Sequence, residues 1–270
     1  MTDGTDWAEL RAATRCYEDA AVLALNKPAG ISVTGERHET DLVRMAADAG
    51  ETLYPVHRID KVTSGLILFA KDLGSHAGLT RQFAHRTAVK RYLALVRPGG
   101  LPPTGTIELP LSTGRKGRVR IAADRAAIEY AERTRTWSVA AAAVYQEVRS
   151  YPSTTEFRRL AEDADEALLA VSPVTGRRHQ IRVHLAWIGH AIVGDPLFAR
   201  PGTRTENDRT EDDRTEDGPA DRTGLHSWRL GLAADWLPSG RLELTAEPGP
   251  DFWRLCRTDT PRSALSAATD

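Results

Sequence analysis

Asp60 is the residue of this chain best placed to do chemistry. It lies in the stretch Tyr54 to Lys71, YPVHRIDKVTSGLILFAK, just after His57 and Arg58 and just before the small-residue turn Thr63-Ser64-Gly65. Neighbouring cations keep a carboxylate ionised, and an ionised carboxylate can act as a nucleophile or a base. The same residue can equally be a turn or salt-bridge aspartate, and spacing alone leaves both readings open. Tyr92, in KRYLALV, is by ordinary expectation a core or cross-strand residue; its other use is to stack on a nucleobase. Further on, in VTGRRHQIRVHLAWIG, Arg178 and Arg182 stand one helical turn apart. Both can then point from a helix start into one pocket, where an anion is favoured: a phosphate, or the Asp60 carboxylate. Lys27 is either a solvated turn lysine or a phosphate contact. His57, His179, His184 and His190 invite a metal reading, but no HxxxH pair exists and no cysteine or carboxylate cluster joins them, so no metal is expected.

The elements that must hold these residues can be read from periodicity. Ala20 to Leu25 reads as a strand ending in the turn Asn26-Lys27-Pro28-Ala29-Gly30, with Ile31 to Val33 resuming it and Thr40 to Ala49 helical. The apolar run Leu66 to Ala70 anchors the Asp60 loop in a core. Ser75 is the expected N-cap of a helix to about His85, with Leu79 and Phe83 on its inner face. Lys90 to Val96 alternates as a strand, and Thr106 to Leu111 and Val119 to Ala122 flank the cationic loop Arg115-Lys116-Gly117-Arg118. Trp137 to Val148 reads as one strand, Glu156 to Ala167 as a helix or a variable insertion, and Leu168 to Ser172 as a strand. A helix from about His179 to Ile188 is expected to bury the stripe Ile181, Leu185 and Ile188, with Gly189 as its C-cap. Order restarts at Leu225 to Leu230, and a strand at Arg241 to Ala246 and a short helix at Asp251 to Leu255 complete the chain.

Composition sets outer limits. The net charge of −1 over 270 residues leaves no overall basic footprint. Arg81 to Arg135, however, holds twelve Lys/Arg against four Asp/Glu, about +8 locally. Cys16 and Cys256 are far apart, which fits a reducing compartment, and with no apolar leader or membrane-length run a soluble, cytoplasmic protein is expected. Residues 200–224 carry near-repeats of DRTED with little apolar content, so a disordered inserted loop is expected there. The expected organisation is an arm at 1–19, one catalytic domain at 20–256 and a mobile tail at 257–270.

The order NKPAG, HRIDKVTSGLILFAK, KRYLALV, TGRRHQIRVHLAWIGHAIVGD and LHSWRL resembles the RluA family of RNA pseudouridine synthases. The resemblance runs from about Ala20 to Leu255 apart from the inserted loop. It implies an α+β fold: a pseudouridine synthase-like mixed, mostly antiparallel central sheet with flanking helices and a central cleft. It implies that Asp60 is the nucleophile or base at a flipped-out uridine, that Tyr92 packs against the uracil and moves a proton, and that Arg182 pairs with the catalytic carboxylate. It implies RNA contacts at Lys27, His57, Arg58, Thr63, Ser64 and Lys90, and again at Arg177, Arg178, His179 and Gln180. No metal or organic cofactor is implied, and the partner is rRNA or tRNA, bound by a monomer away from any membrane. Departures from the family pattern are Ile59, Val62, Arg178, Ala191 and Phe198, and the residues before Ala20 are too few for an S4 RNA-binding domain. A catalytically silent RNA-binding protein of the same fold is the alternative, disfavoured because Asp60, Tyr92 and Arg182 are all present. A hydrolase using Ser64 or Asp60 lacks a G-x-S-x-G elbow.

Overall fold

The computed structural model describes residues 6–35, 41–114, 118–163, 165–198, 222–258, 262, 263 and 265. In chain order, α1 (Trp7–Thr14), β1 (Arg15–Glu18), β2 (Val22–Lys27), α2 (Leu42–Asp48), β3 (Tyr54–Pro55), β4 (Ser64–Ala70) and α3 (Leu73–Ala84) lead to β5 (Val89–Arg97). Then come β6 (Thr104–Glu108), β7 (Leu111–Thr113), β8 (Val119–Ile121), β9 (Ile128–Ala131), β10 (Thr136–Val139), β11 (Ser150–Tyr151), β12 (Thr154–Asp163) and β13 (Glu166–Pro173). The chain ends with α4 (Gln180–Trp187), β14 (Ala191–Ile192), β15 (Leu225–Ala233), β16 (Arg241–Thr245) and α5 (Pro250–Trp253). The expected single span 20–256 is made of two compact units, one of residues 1–92 and 225–249, the other of residues 93–224 and 250–270.

In the first unit the sheet runs β1-β2-β4-β15, with β3 also on β4 and β16 on β15. All of these pairings are antiparallel except β15 with β4. β4 is buried at every position, because it carries apolar side chains to two clusters. Leu66 and Leu68 pack with Val22, Leu79, Leu230 and Leu244, whereas Ile67 and Phe69 pack with Trp7, Leu10, Leu23, Leu42 and Leu53. Burying side chains of this kind is the main favourable term in folding, at roughly 1.5–3 kcal/mol each. Within the expected arm at 1–19, α1 sends Trp7 and Leu10 into the core and β1 pairs with β2. Two local readings are also corrected. The cap of α3 is Asp72, whose carboxylate accepts from the Ser75 amide and hydroxyl, so the helix starts earlier than a Ser75 cap predicts. Ile31 to Val33 forms no strand, only a single bridge from Ser32 to Asp41.

In the second unit the order is β13-β12-β6-β10-β9, with β10 parallel to β6 and the other pairings antiparallel, and a small sheet β11-β7-β8 beside it. Residues 156–167, read from charge as a helix or insertion, are mostly strand β12. Thr155, Phe157 and Ala161 point inward and the charged residues lie between them, a period of two that the charge density hides. Trp137 to Val148 is not one strand; β10 stops at Val139 and a 3₁₀ turn follows at Ala141–Ala143. Both units are mixed and mostly antiparallel with helices on their flanks, as the α+β expectation states. The expected disordered loop at 200–224 and the cationic loop at 115–117 lie outside the described residues, save that Arg222, Thr223 and Gly224 are built into the fold. Arg222 and Thr223 are buried, the amide of Gly224 donates to Val193 and its carbonyl accepts from Leu95. Among the described residues no helix is long and apolar enough to cross a membrane.

Candidate active site

Asp60 is half-buried in the loop that feeds β4, where its carbonyl closes a turn onto the Thr63 amide at 3.0 Å. The loop is held from below by Lys27. That side chain is 1% exposed, and its ammonium donates to the carbonyls of Pro28 (2.8 Å), Ile31 (2.7 Å) and Lys61 (3.2 Å). Lys27 is thus a buried clamp joining the NKPAG turn to the Asp60 loop, and the expectation of a phosphate contact there is corrected. Thr63 and Ser64, expected to touch RNA, are buried as well, at 2% and 3% exposure.

Ser64 opens a second support. Its hydroxyl lies 2.8 Å from Nδ1 of His226, whose Nε2 is 2.8 Å from the carbonyl of Ala246. A carbonyl can only accept, so Nε2 carries the proton and Nδ1 accepts from Ser64. This buried chain ties the start of β4 to β15 in parallel register, His226 beside Ser64 and Ser227 beside Gly65. The strands come so close there that a Cβ on Gly65 would fall 2.2 Å from the Ser227 carbonyl, and Gly65 has φ +101°. The glycine of TSG is needed for that contact.

The close approach sets Ser227 beside Tyr92. The Tyr92 phenol is pushed up to about 12, first by loss of water and also by the negative charge of Asp60, while a hydrogen bond from Ser227 works the other way. Asp60, Tyr92 and Ser227 therefore form one constellation within the first unit. His57 stacks on Phe83 (centroids 4.7 Å, 10° between planes), and its Nε2 accepts from the Leu68 amide at 3.2 Å. Burial, helped by the charge of Lys90, pushes its pKa down to about 3, so it is a neutral acceptor bracing β4. Arg58 is exposed and Lys90 half-buried, both still open to a phosphate role.

In the second unit the TGRRHQ segment divides into supports and exposed cations. Gln180 is 3% exposed; its Oε1 accepts from Thr175 Oγ1 (2.6 Å) and the Arg177 amide (3.0 Å). Its Nε2 donates to the Thr154 carbonyl and to Thr155 Oγ1. Thr155 in turn faces Nδ1 of His184 at 2.9 Å, and His184 Nε2 is 3.0 Å from the Leu109 carbonyl. By the same logic His184 is a neutral donor–acceptor, and its burial brings its pKa down to about 4. Gln180 is a structural tie, which corrects its expected RNA contact. Arg177 and Arg178 are exposed, with Arg177 over the Tyr151 ring at 5.1 Å, and half-buried His179 precedes α4 at φ +55°.

α4 is buried all round from Gln180 to Ala186, where one stripe was expected. Arg178 lies before the helix and exposed while Arg182 is 2% exposed within it, so the two arginines do not share one face. The guanidinium of Arg182 is fixed by Asp195, Nε to Oδ2 at 2.7 Å and Nη2 to Oδ1 at 2.8 Å, and lies 5.4 Å from the Phe198 ring centre. Asp195 Oδ1 also accepts from the amides of Leu197 and Phe198. Asp195, Ser227 and His226 were not singled out from sequence. Nothing in the spacing of their neighbours tells that these side chains would reach Arg182, Tyr92 and Ser64.

Known proteins resemble this chain in sequence and in fold. The sequence model of the RNA pseudouridylate synthase family matches residues 21–187. The chain is 35% identical over 245 residues to ribosomal large subunit pseudouridine synthase D of Nitrosomonas europaea, covering 87% of this chain and 61% of that protein. It is 34% identical over 199 residues to the dual-specificity RNA pseudouridine synthase RluA of Vibrio vulnificus, covering 72% of this chain and 70% of that one. It thus spans about three fifths of the length of the first of these relatives. Human RNA pseudouridylate synthase domain-containing protein 4 shares the fold, with a TM-score of 0.68 over 92% of this chain and 93% of that chain at 21% identity. On the motifs, the fold and these matches, the chain belongs to the RluA family of RNA pseudouridine synthases.

Proposed function

We propose that this protein isomerises uridine to pseudouridine in ribosomal or transfer RNA, acting on a nucleotide turned out of its stack. The observation that carries the reading is the grouping of Asp60 with Tyr92, close enough for the carboxylate charge to act on the phenol. In the reaction the N1–C1′ bond breaks, the uracil turns, and a C5–C1′ bond forms; the C5 hydrogen leaves as a proton and N1 gains one. A carboxylate can drive this by attacking C1′, attacking the base, or removing a sugar proton, and each route needs it ionised. Tyr92 is the wall that holds the detached base. Arg58, Lys90, Arg177, Arg178 and His179 would hold the flanking backbone, where cations supply affinity without reading sequence. A monomer working in the cytoplasm belongs to the same reading.

The direct test maps pseudouridines chemically in rRNA and tRNA from cells with and without the gene. A site should vanish, return with the intact gene and fail to return with an Asp60 variant; an unchanged map ends the reading. Tyr92→Phe is expected to fold normally and to lose turnover about 10²-fold, as for removal of a proton-transferring group. With its pKa near 12, Tyr92 stays a neutral phenol, so no alkaline limb from it should appear up to about pH 10, the ordinary tyrosine value. Near-normal turnover in Tyr92→Phe would reduce the phenol to packing.

A further inference from the structure

Outside the residues assigned above, the second unit carries a two-lobed groove. The larger lobe, about 460 Å³, is lined by Ile128, Tyr130, Trp137 and Trp187 with Arg125; the smaller, about 180 Å³, continues past Arg125 and Trp187 to Arg120 and Tyr145. Tyr130 and Trp137 face each other across the β9–β10 pair, ring centres 4.4 Å apart, and Trp137 backs onto Phe157 at 5.9 Å. An aromatic pair across two strands is by itself an ordinary stabiliser. Here, however, the layer ends open: Tyr130 is 43% exposed and Trp187 half-buried. Gly105 on β6 makes room for it, since a Cβ there would lie 2.5 Å from the Phe157 ring and 2.8 Å from Trp137.

The groove also has cations. Arg125 donates through Nε to the Trp187 carbonyl (2.9 Å) and through Nη2 to the Ala186 carbonyl, which caps the end of α4. Among the described residues no partner takes its Nη1. Arg120 is exposed, with its guanidinium 5.6 Å from the Tyr145 ring centre. The carboxylate in the smaller lobe, Asp124, already accepts from the Tyr145 hydroxyl at 2.7 Å. Open aromatic faces beside guanidinium donors suit a base and its phosphate, because every nucleobase offers a face to stack and every phosphate an acceptor.

We propose that this groove is a second RNA contact, in which one unpaired nucleobase stacks on Tyr130 and Trp187 while Arg120 and Arg125 meet its phosphate. The proposal rests on the RNA-modifying reading above and extends it to a nucleotide other than the target uridine. The test measures binding of labelled single-stranded RNA to the full chain by fluorescence anisotropy, with circular dichroism as the check on folding. Tyr130→Ala is expected to weaken binding about tenfold, the worth of one stacked base, and Tyr130→Phe to leave it unchanged. In turnover the Tyr130→Ala loss should fall on KM with kcat preserved. Should Tyr130→Ala fail to fold, the exposed Arg120→Glu change must weaken binding in its place. RNA bearing 5-bromouridine should photocrosslink to peptides containing Tyr130 or Trp187. Unchanged binding in folded Tyr130→Ala, or in Arg120→Glu where that variant stands in, overturns the proposal. So does self-association of the wild type that Tyr130→Ala abolishes, which would make the groove a protein contact. Crosslinking at the groove without any pseudouridine formed would sink the reaction and leave the site standing.

Discussion

Asp60→Asn is expected to form no measurable pseudouridine, a loss of about 10⁴-fold or more, while RNA affinity stays near that of the wild type. The substitution keeps the shape of the side chain, removes the charge and replaces one carboxylate oxygen by an NH2 donor. The turn from the Asp60 carbonyl to the Thr63 amide is a backbone contact and survives it. Release of label from C5 of uridine measures the reaction, and filter binding measures affinity. A second reading comes from Tyr92. The Asp60 charge helps hold the phenol near 12, so removing that charge favours the phenolate and should move the Tyr92 titration downward. Turnover persisting in Asp60→Asn would remove the carboxylate from the mechanism whatever the tyrosine does.

Asp195→Ala should carry the largest cost to stability. Arg182 and Asp195 have side-chain exposures of 2% and 0%, and their two hydrogen bonds pair the guanidinium with the carboxylate in parallel. Taking away one partner of a buried pair costs about 3–5 kcal/mol. The two amides of Leu197 and Phe198 lose their acceptor as well. Urea unfolding of the variant should show a midpoint well below that of the wild type, and isomerisation should fall with it. A variant as stable as the wild type would show that water or a neighbouring carboxylate replaces Asp195, and that Arg182 needs no such anchor.

The strands and helices of the first unit were legible where period and punctuation agree, as in β2, β4 and α2. Charge misled at 156–167, because a strand with one face toward solvent carries the same Glu and Arg as an exposed helix. The family motifs singled out Asp60 and Tyr92, which the fold brings near each other, yet assigned too many neighbours to RNA. Lys27, Ser64 and Gln180 are all polar, and only the fold reveals that their hydrogen bonds are used up inside. His57 shows the same limit: next to an arginine in sequence, it is spent on the amide of Leu68. Ser227 and Asp195 went unnoticed because their partners lie on another strand or back within a helix, where no sequence spacing points.

The first unit borrows its β15 and β16 from far along the chain, and this dictates an order of events during synthesis. β4 emerges from the ribosome long before Leu225, so its first two residues, Ser64 and Gly65, wait for their β15 partners for the time it takes to add 155 residues. At usual translation speeds that is on the order of ten seconds or more. During that interval the open start of an otherwise paired apolar strand offers itself to any other strand nearby. A chaperone or a slow-down in translation ahead of codon 225 would act on that exposed edge, and a nascent chain released before it would be prone to aggregate.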